Sequence, residues 1–180
     1  MKLKEKIRTR VAPDLAAGDE LRAVIHLQRT AAEGSANRHG AISTNHGGGE
    51  LEDAMLARHG FDPGPVVGHD ERERQDLVGS WLTITDDRPY FHGPDTGFWV
   101  MKPRPDELRA TVERSELVSV EHADHTMTAM IWRTWLFRFA DDTWLLGHSP
   151  IGGRVRKNSF DDEADLAVAA FGPKASPFSP

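Results

Sequence analysis

The stretch from Thr126 to Leu146 constrains the fold more than any other part of the chain. Thr126 to Phe139 reads as one long strand, with Trp135, Phe137 and Phe139 on one side. Ala140-Asp141-Asp142 turns the chain, and Thr143-Trp144-Leu145-Leu146 returns to complete a hairpin. A hairpin this apolar needs further strands around it, and the sequence supplies them. Trp81-Leu82-Thr83-Ile84-Thr85 is a run of β-formers, Asp86-Asp87 a turn, and Arg88-Pro89-Tyr90-Phe91 a return in which Pro89 points to an edge position. Gly97 to Met101 is a further strand. Arg109 to Glu113 and Glu116 to Glu121 alternate, with Ala110 and Val112, then Val118 and Val120, expected inward. Upstream, Leu21, Ala23, Ile25 and Leu27 share one side of a strand over residues 21–29, opposite Arg22, His26 and Gln28.

Helical periodicity is confined to three places. Leu3, Ile7 and Val11 recur every four residues before Pro13 and the Gly18-Asp19 turn. Glu50 to Arg58 presents Leu51, Ala54 and Met55 on one face and ends at Gly60. Near the C-terminus, Phe160, Ala164, Ala167, Val168 and Phe171 form an apolar stripe. Ser159 and Asp162 supply a capping box there, the acids Asp161 to Glu163 occupy the first turn, and Gly172-Pro173 stops the helix. Residues 30–79, with nine acids against four Lys or Arg and the hinge Gly47-Gly48-Gly49, read as a long insertion after the first strand. The expectation is one mainly β domain over 1–173, closed by a C-terminal helix, with this insertion and a disordered tail at 174–180.

With 22 Lys and Arg against 28 Asp and Glu, the net charge of −6 disfavours nucleic acid and anionic membrane as partners. The absence of cysteine removes disulfides, thiolate zinc sites and cysteine nucleophiles. The charged start from Met1 to Arg10 has no apolar run behind it, and no stretch reaches the length of a membrane helix, so a cytoplasmic, soluble protein is expected.

The order of elements, and some local wording, resembles bacterial pleckstrin-homology-like (PH-like) domains and the related GRAM domains. Leu15-Ala16-Ala17-Gly18-Asp19-Glu20-Leu21-Arg22-Ala23-Val24 is similar to the opening of that family. Trp81 to Phe91, with its Thr-Asp-x-Arg turn, is similar to its hairpin, and Val118 to Glu121 followed by Leu136 to Asp142 to its later strands. The resemblance covers roughly two-thirds of the chain. It implies a curled antiparallel sandwich or barrel capped by one amphipathic helix, a binding or scaffold role, and no shared catalytic residues. The acidic connection after the first strand departs from the basic one of lipid-binding members and shifts weight toward a protein partner.

Several residue groups are candidates for chemistry. His122 and His125, flanked by Glu121 and Asp124, are the sharpest metal-ligating pair among nine histidines, although no third ligand has an evident spacing. Trp132, Arg133 and Trp135 interleave aromatics with a cation, as a stacking face or peptide groove does, and Arg133 shares its parity with Trp135. Arg154, Arg156 and Lys157 form a short basic loop before the last helix, where an anion could sit. His46-Gly47-Gly48-Gly49 lacks the nucleophile elbow of an oxyanion loop and fails the dinucleotide and phosphate-loop patterns. The expected function is therefore a non-enzymatic module without cofactor that recognises a protein or peptide, by strand addition at a sheet edge or through the insertion. A small metal-dependent enzyme built on the histidines is one alternative. A peripheral lipid binder using the N-terminal cations and the 154–157 loop is another, and five tryptophans leave room for a homodimer.

Overall fold

The structure is a computed structural model that describes residues 3–28, 49–61, 71–77, 79–94, 105–127, 130–153 and 161–179. Within these residues the chain is mainly β, with two four-stranded sheets and a C-terminal helix. The first sheet is a meander in the order β1-β2-β3-β4, formed by β1 (Leu21–His26), β2 (Trp81–Thr85), β3 (Pro89–Pro94) and β4 (Pro105–Thr111). The second has the order β7-β6-β5-β8, from β5 (Leu117–Met127), β6 (Met130–Phe139), β7 (Trp144–Gly153) and β8 (Ala175–Pro177). All pairings are antiparallel except β5 with β8. The two sheets remain separate; they do not close into the barrel that the sequence left open as an alternative.

The period-two alternation explains the packing. Ala23, Ile25, Leu82, Ile84 and Phe91 of the first sheet meet Val120, Trp135, Phe137 and Leu145 of the second in the main core. The C-terminal helix, α3 (Asp161–Phe171), adds Ala164, Ala167 and Phe171 to the same cluster. Gly172 then takes φ +56, the left-handed turn that ends the helix, before Pro173. Each sheet is also covered on its other face. Helix α1 (Leu3–Val11) packs Ile7 and Val11 on Val24 and Trp81 of the first sheet. Helix α2 (Gly49–Arg58) and Phe61 pack Met55, Leu56 and the Phe61 ring on Leu136, Trp144 and Leu146 of the second.

Four expectations differ from the structure. Thr126 to Phe139 is not one strand: the chain reverses between Met127 and Met130, which pair with each other. No Gly, Pro or Asn marks that reversal, so β propensity runs through it unbroken. Val118 points outward, because a bulge between Leu117 and Ser119 shifts the alternation and sends Leu117 inward in its place. The residues after 173 are packed on the body, with Ala175–Pro177 paired alongside β5. Phe178 is buried beneath the Arg58 guanidinium, 4.2 Å from its ring centroid, and the Phe178 N–H donates to the His122 carbonyl. The insertion, finally, is no mere appendage, since Met55, Leu56, Phe61 and Leu77 all enter apolar clusters. The strand expected at Gly97 to Met101, along with Ser159 and Phe160, lies outside the described residues.

Candidate functional site

The outer face of the second sheet carries a concentration of buried polar side chains. Alternation along β5, β6 and β7 puts Glu121, Ala123 and His125, then Trp132, Thr134 and Leu136, then Trp144, Leu146 and His148 on that face. Helix α2 covers it and brings Glu52 and, just past its end, His59. Glu52 Oε1 lies 2.8 Å from His148 Nε2, with the imidazole fully buried and the carboxylate nearly so. The pair does not meet hydrogen-bond geometry despite this distance, so the contact is electrostatic. At the other ring nitrogen, Thr134 Oγ1 lies 3.0 Å from His148 Nδ1 and 3.3 Å from His125 Nδ1. A second carboxylate–imidazole pair joins α2 to β5, with His59 Nε2 2.7 Å from Glu121 Oε1. Burial lowers the pKa of His125, and the neighbouring His148 lowers it further.

Tautomer arithmetic gives the chain Glu52, His148, Thr134, His125 a direction. Taken with Glu52 ionised and His148 neutral, the nearby negative charge favours the His148 proton on Nε2, the ring nitrogen beside it, and Nδ1 is bare. Thr134 then donates its one hydroxyl proton to His148 Nδ1. It must accept from His125, whose proton is thereby placed on Nδ1. The lone pair of His125 Nε2 is left at the free end.

The residues singled out from sequence are spread over several places. His125 belongs to this chain, and Trp132 is its direct cross-strand neighbour. His122 lies on the opposite face of β5 with its ring 5.8 Å from that of Trp135, so the two histidines do not converge on one ion. Burial, and then the Arg133 charge, lowers the His122 pKa. Trp135 is fully buried in the main core and donates Nε1–H to Ser149 Oγ at 2.8 Å. Arg133 shares the Trp135 face, as parity predicts, its guanidinium 5.7 Å from the ring. It grips Asp124 through Nε and Nη2 at 2.6 and 2.9 Å and reaches Asp165 of α3 at 2.9 Å. Burial disfavours the Arg133 charge, but these hydrogen bonds more than offset it and raise the pKa. Arg154, Arg156 and Lys157 lie outside the described residues. Among the described residues, no three His, Asp or Glu side chains are grouped as a metal centre. Glu52, Thr134 and His148 went unnoticed in the sequence, because nothing in their spacing announces contacts made across three elements.

A second feature lies where β1 meets the C-terminal helix. An open groove of about 420 Å³ runs between α1, β1 and α3, floored by Leu21, Leu166, Ala169 and Ala170 and rimmed by Arg8, Arg22 and Asp86. Arg8 is held by Glu163, a fully buried carboxylate that meets Lys4 at 2.6 Å and Arg8 at 3.0 Å, and accepts the Val24 N–H at 2.7 Å. Arg8 in turn donates to the Leu21 and Arg22 carbonyls at 3.4 and 3.0 Å. Comparisons with protein families, with curated proteins and with solved structures return no match to this chain.

Proposed function

We propose that this chain is a non-enzymatic binding module with a PH-like arrangement, and that the groove between α1, β1 and α3 receives a segment of a protein partner. The groove itself carries the reading: an apolar floor that includes the exposed Leu166, beside a rim of both charge signs. The order of elements, two meanders followed by one packing helix, is the order that the family resemblance implies. Strand addition at β1 is disfavoured as the mode of contact. Glu163 occupies the Val24 N–H and Arg8 the Leu21 and Arg22 carbonyls, which blunts that edge. The β4 edge carries Asp106, Glu107 and Arg109 and opens with Pro105, and β8 is three residues long, so those edges are guarded as well. The mode that fits is an apolar side chain of the partner seated against Leu166 and Ala169.

Selection of a random peptide library on the protein tests this directly. Recovered peptides should share an apolar anchor. Their binding should fall at least about tenfold, the weight of one buried anchor, on Leu166→Asp and stay unchanged on Val118→Asp. Val118 is also exposed but lies on the second sheet, away from the groove. Peptides indifferent to Leu166→Asp, or the recovery of no common sequence, would overturn the groove as the binding site.

A further inference from the structure

We infer that the free end of the Glu52–His148–Thr134–His125 chain is a second binding site, one that takes the hydroxyl group of a small polar ligand. Three observations lead there. Among the described residues, His125 Nε2 is buried and has no hydrogen-bond partner, and neither has the indole Nε1–H of Trp132, which is itself more than nine-tenths buried. The two residues are directly paired across β5 and β6, so their side chains rise from the same face as neighbours. Gln28, which exchanges both backbone hydrogen bonds with His148 at 2.8 Å, carries a further buried atom without a partner among the described residues, its Oε1. Buried polar atoms in proteins are overwhelmingly paired, because an orphan has given up its water without replacing it. Adjacent orphans on one face therefore mark a place built for an occupant.

The chemistry of that occupant follows from the tautomers derived above. With Glu52 ionised, His125 Nε2 is an acceptor, while the Trp132 indole is a donor only. One atom meets both requirements if it donates and accepts at once, as a hydroxyl oxygen does. A carbonyl satisfies the indole and leaves the imidazole bare; an ammonium does the reverse. Glu52, separated from the ligand by His148, Thr134 and His125, acts here as a positioning residue: it holds the proton pattern that keeps His125 Nε2 open.

The probe pair that tests this is 2-propanol and acetone, close in size and differing in the hydroxyl. Each is titrated into the full-length chain at about pH 8, above the ordinary histidine range, while the Trp132 indole cross-peak, assigned through Trp132→Phe, is followed by NMR. The Trp132 peak should shift saturably with 2-propanol, with an affinity about tenfold above that for acetone, the factor a neutral hydrogen bond supplies. Glu52→Gln should erase that preference, because a neutral amide no longer fixes the His148 proton on Nε2. Equal shifts with both probes, or none at either, would overturn the proposal and leave the site to ordered water only. The wild-type comparison decides the matter even if Glu52→Gln unfolds. A folded Glu52→Gln that keeps the full preference would count against the chain as its origin.

Discussion

The two outer faces of the sandwich repeat one motif with different degrees of closure. On the first sheet, His92 lies buried between Thr83 Oγ1, 3.5 Å from Nδ1, and Asp14 Oδ2, 3.2 Å from Nε2. On the second, His148 lies buried between Thr134 at 3.0 Å and Glu52 at 2.8 Å. Each carboxylate comes from the covering N-terminal or inserted segment, each Thr and His from the sheet. The Asp14 side chain is 39% exposed, whereas that of Glu52 is 8% exposed. Burial, the main cause, lowers the His92 pKa despite Asp14. The first trio is thus a partly wetted latch that ends at one imidazole. The second is dry and tighter, and continues through Thr134 to a second histidine. The same three residue types fasten a covering segment in one place and build a directed polar chain in the other, and carboxylate burial makes the difference.

The contrast can be broken most sharply at the carboxylates. Glu52→Ala leaves a buried imidazole N–H facing nothing and should lower unfolding free energy by about 2 kcal/mol in urea melts, the scale for leaving a buried donor unpaired. A loss under about 1 kcal/mol would make the two faces equivalent.

Acid sharpens the comparison next. His26 stacks on Trp81 at the first sheet, and burial lowers its pKa to about 4. Burial lowers His92, His122 and His125 as well. For such groups the unfolded chain binds the proton more readily. Stability is therefore full above the ordinary histidine value of 6.5 and falls as pH drops from there toward about 4. His26 alone contributes up to about 3 kcal/mol of that loss, and His26→Phe should flatten the slope of stability against pH over the same window. An unchanged slope would remove the first sheet from acid sensitivity.

Phe178→Ala probes how far the tail belongs to the second sheet. It should cost about 2 kcal/mol, the scale of exposing one aromatic side chain, and a neutral result would return residues 174–180 to the status of a loose end. The smallest effect belongs to Asp14→Ala, expected below about 1 kcal/mol because the Asp14 carboxylate is itself partly in solvent, which screens its attraction for His92.

Much of this architecture was legible in the sequence because one local rule generates it. Alternation located β1 and β6, a run of β-formers β2 and the hairpin return β7, and helical spacing located α1, α2 and most of the apolar stripe of α3. The failures are also physical. The reversal between Met127 and Met130 passes through residues that all favour strands, and the bulge at Leu117 is invisible to a rule that assumes a constant period. Phe178 gave no periodic signal, being one ring in a segment with two prolines. The polar chain was only half visible: His125 and Trp132 stood out as residue types, but Glu52 and His148, 96 positions apart by number, meet only after α2 docks on the sheet. Local pattern dictates elements, whereas a buried polar cluster is a property of their assembly.

The proton positions in that cluster are its most exposed consequence, and 15N NMR of the imidazole rings at about pH 8, where ordinary histidines are neutral, reads them without any ligand or mutation. The geometry predicts His148 with its proton on Nε2 and His125 with its proton on Nδ1, the tautomer that solvent-exposed histidine disfavours. A His125 proton found on Nε2 would mean that Thr134 does not relay the influence of Glu52, and the directed chain would be contradicted.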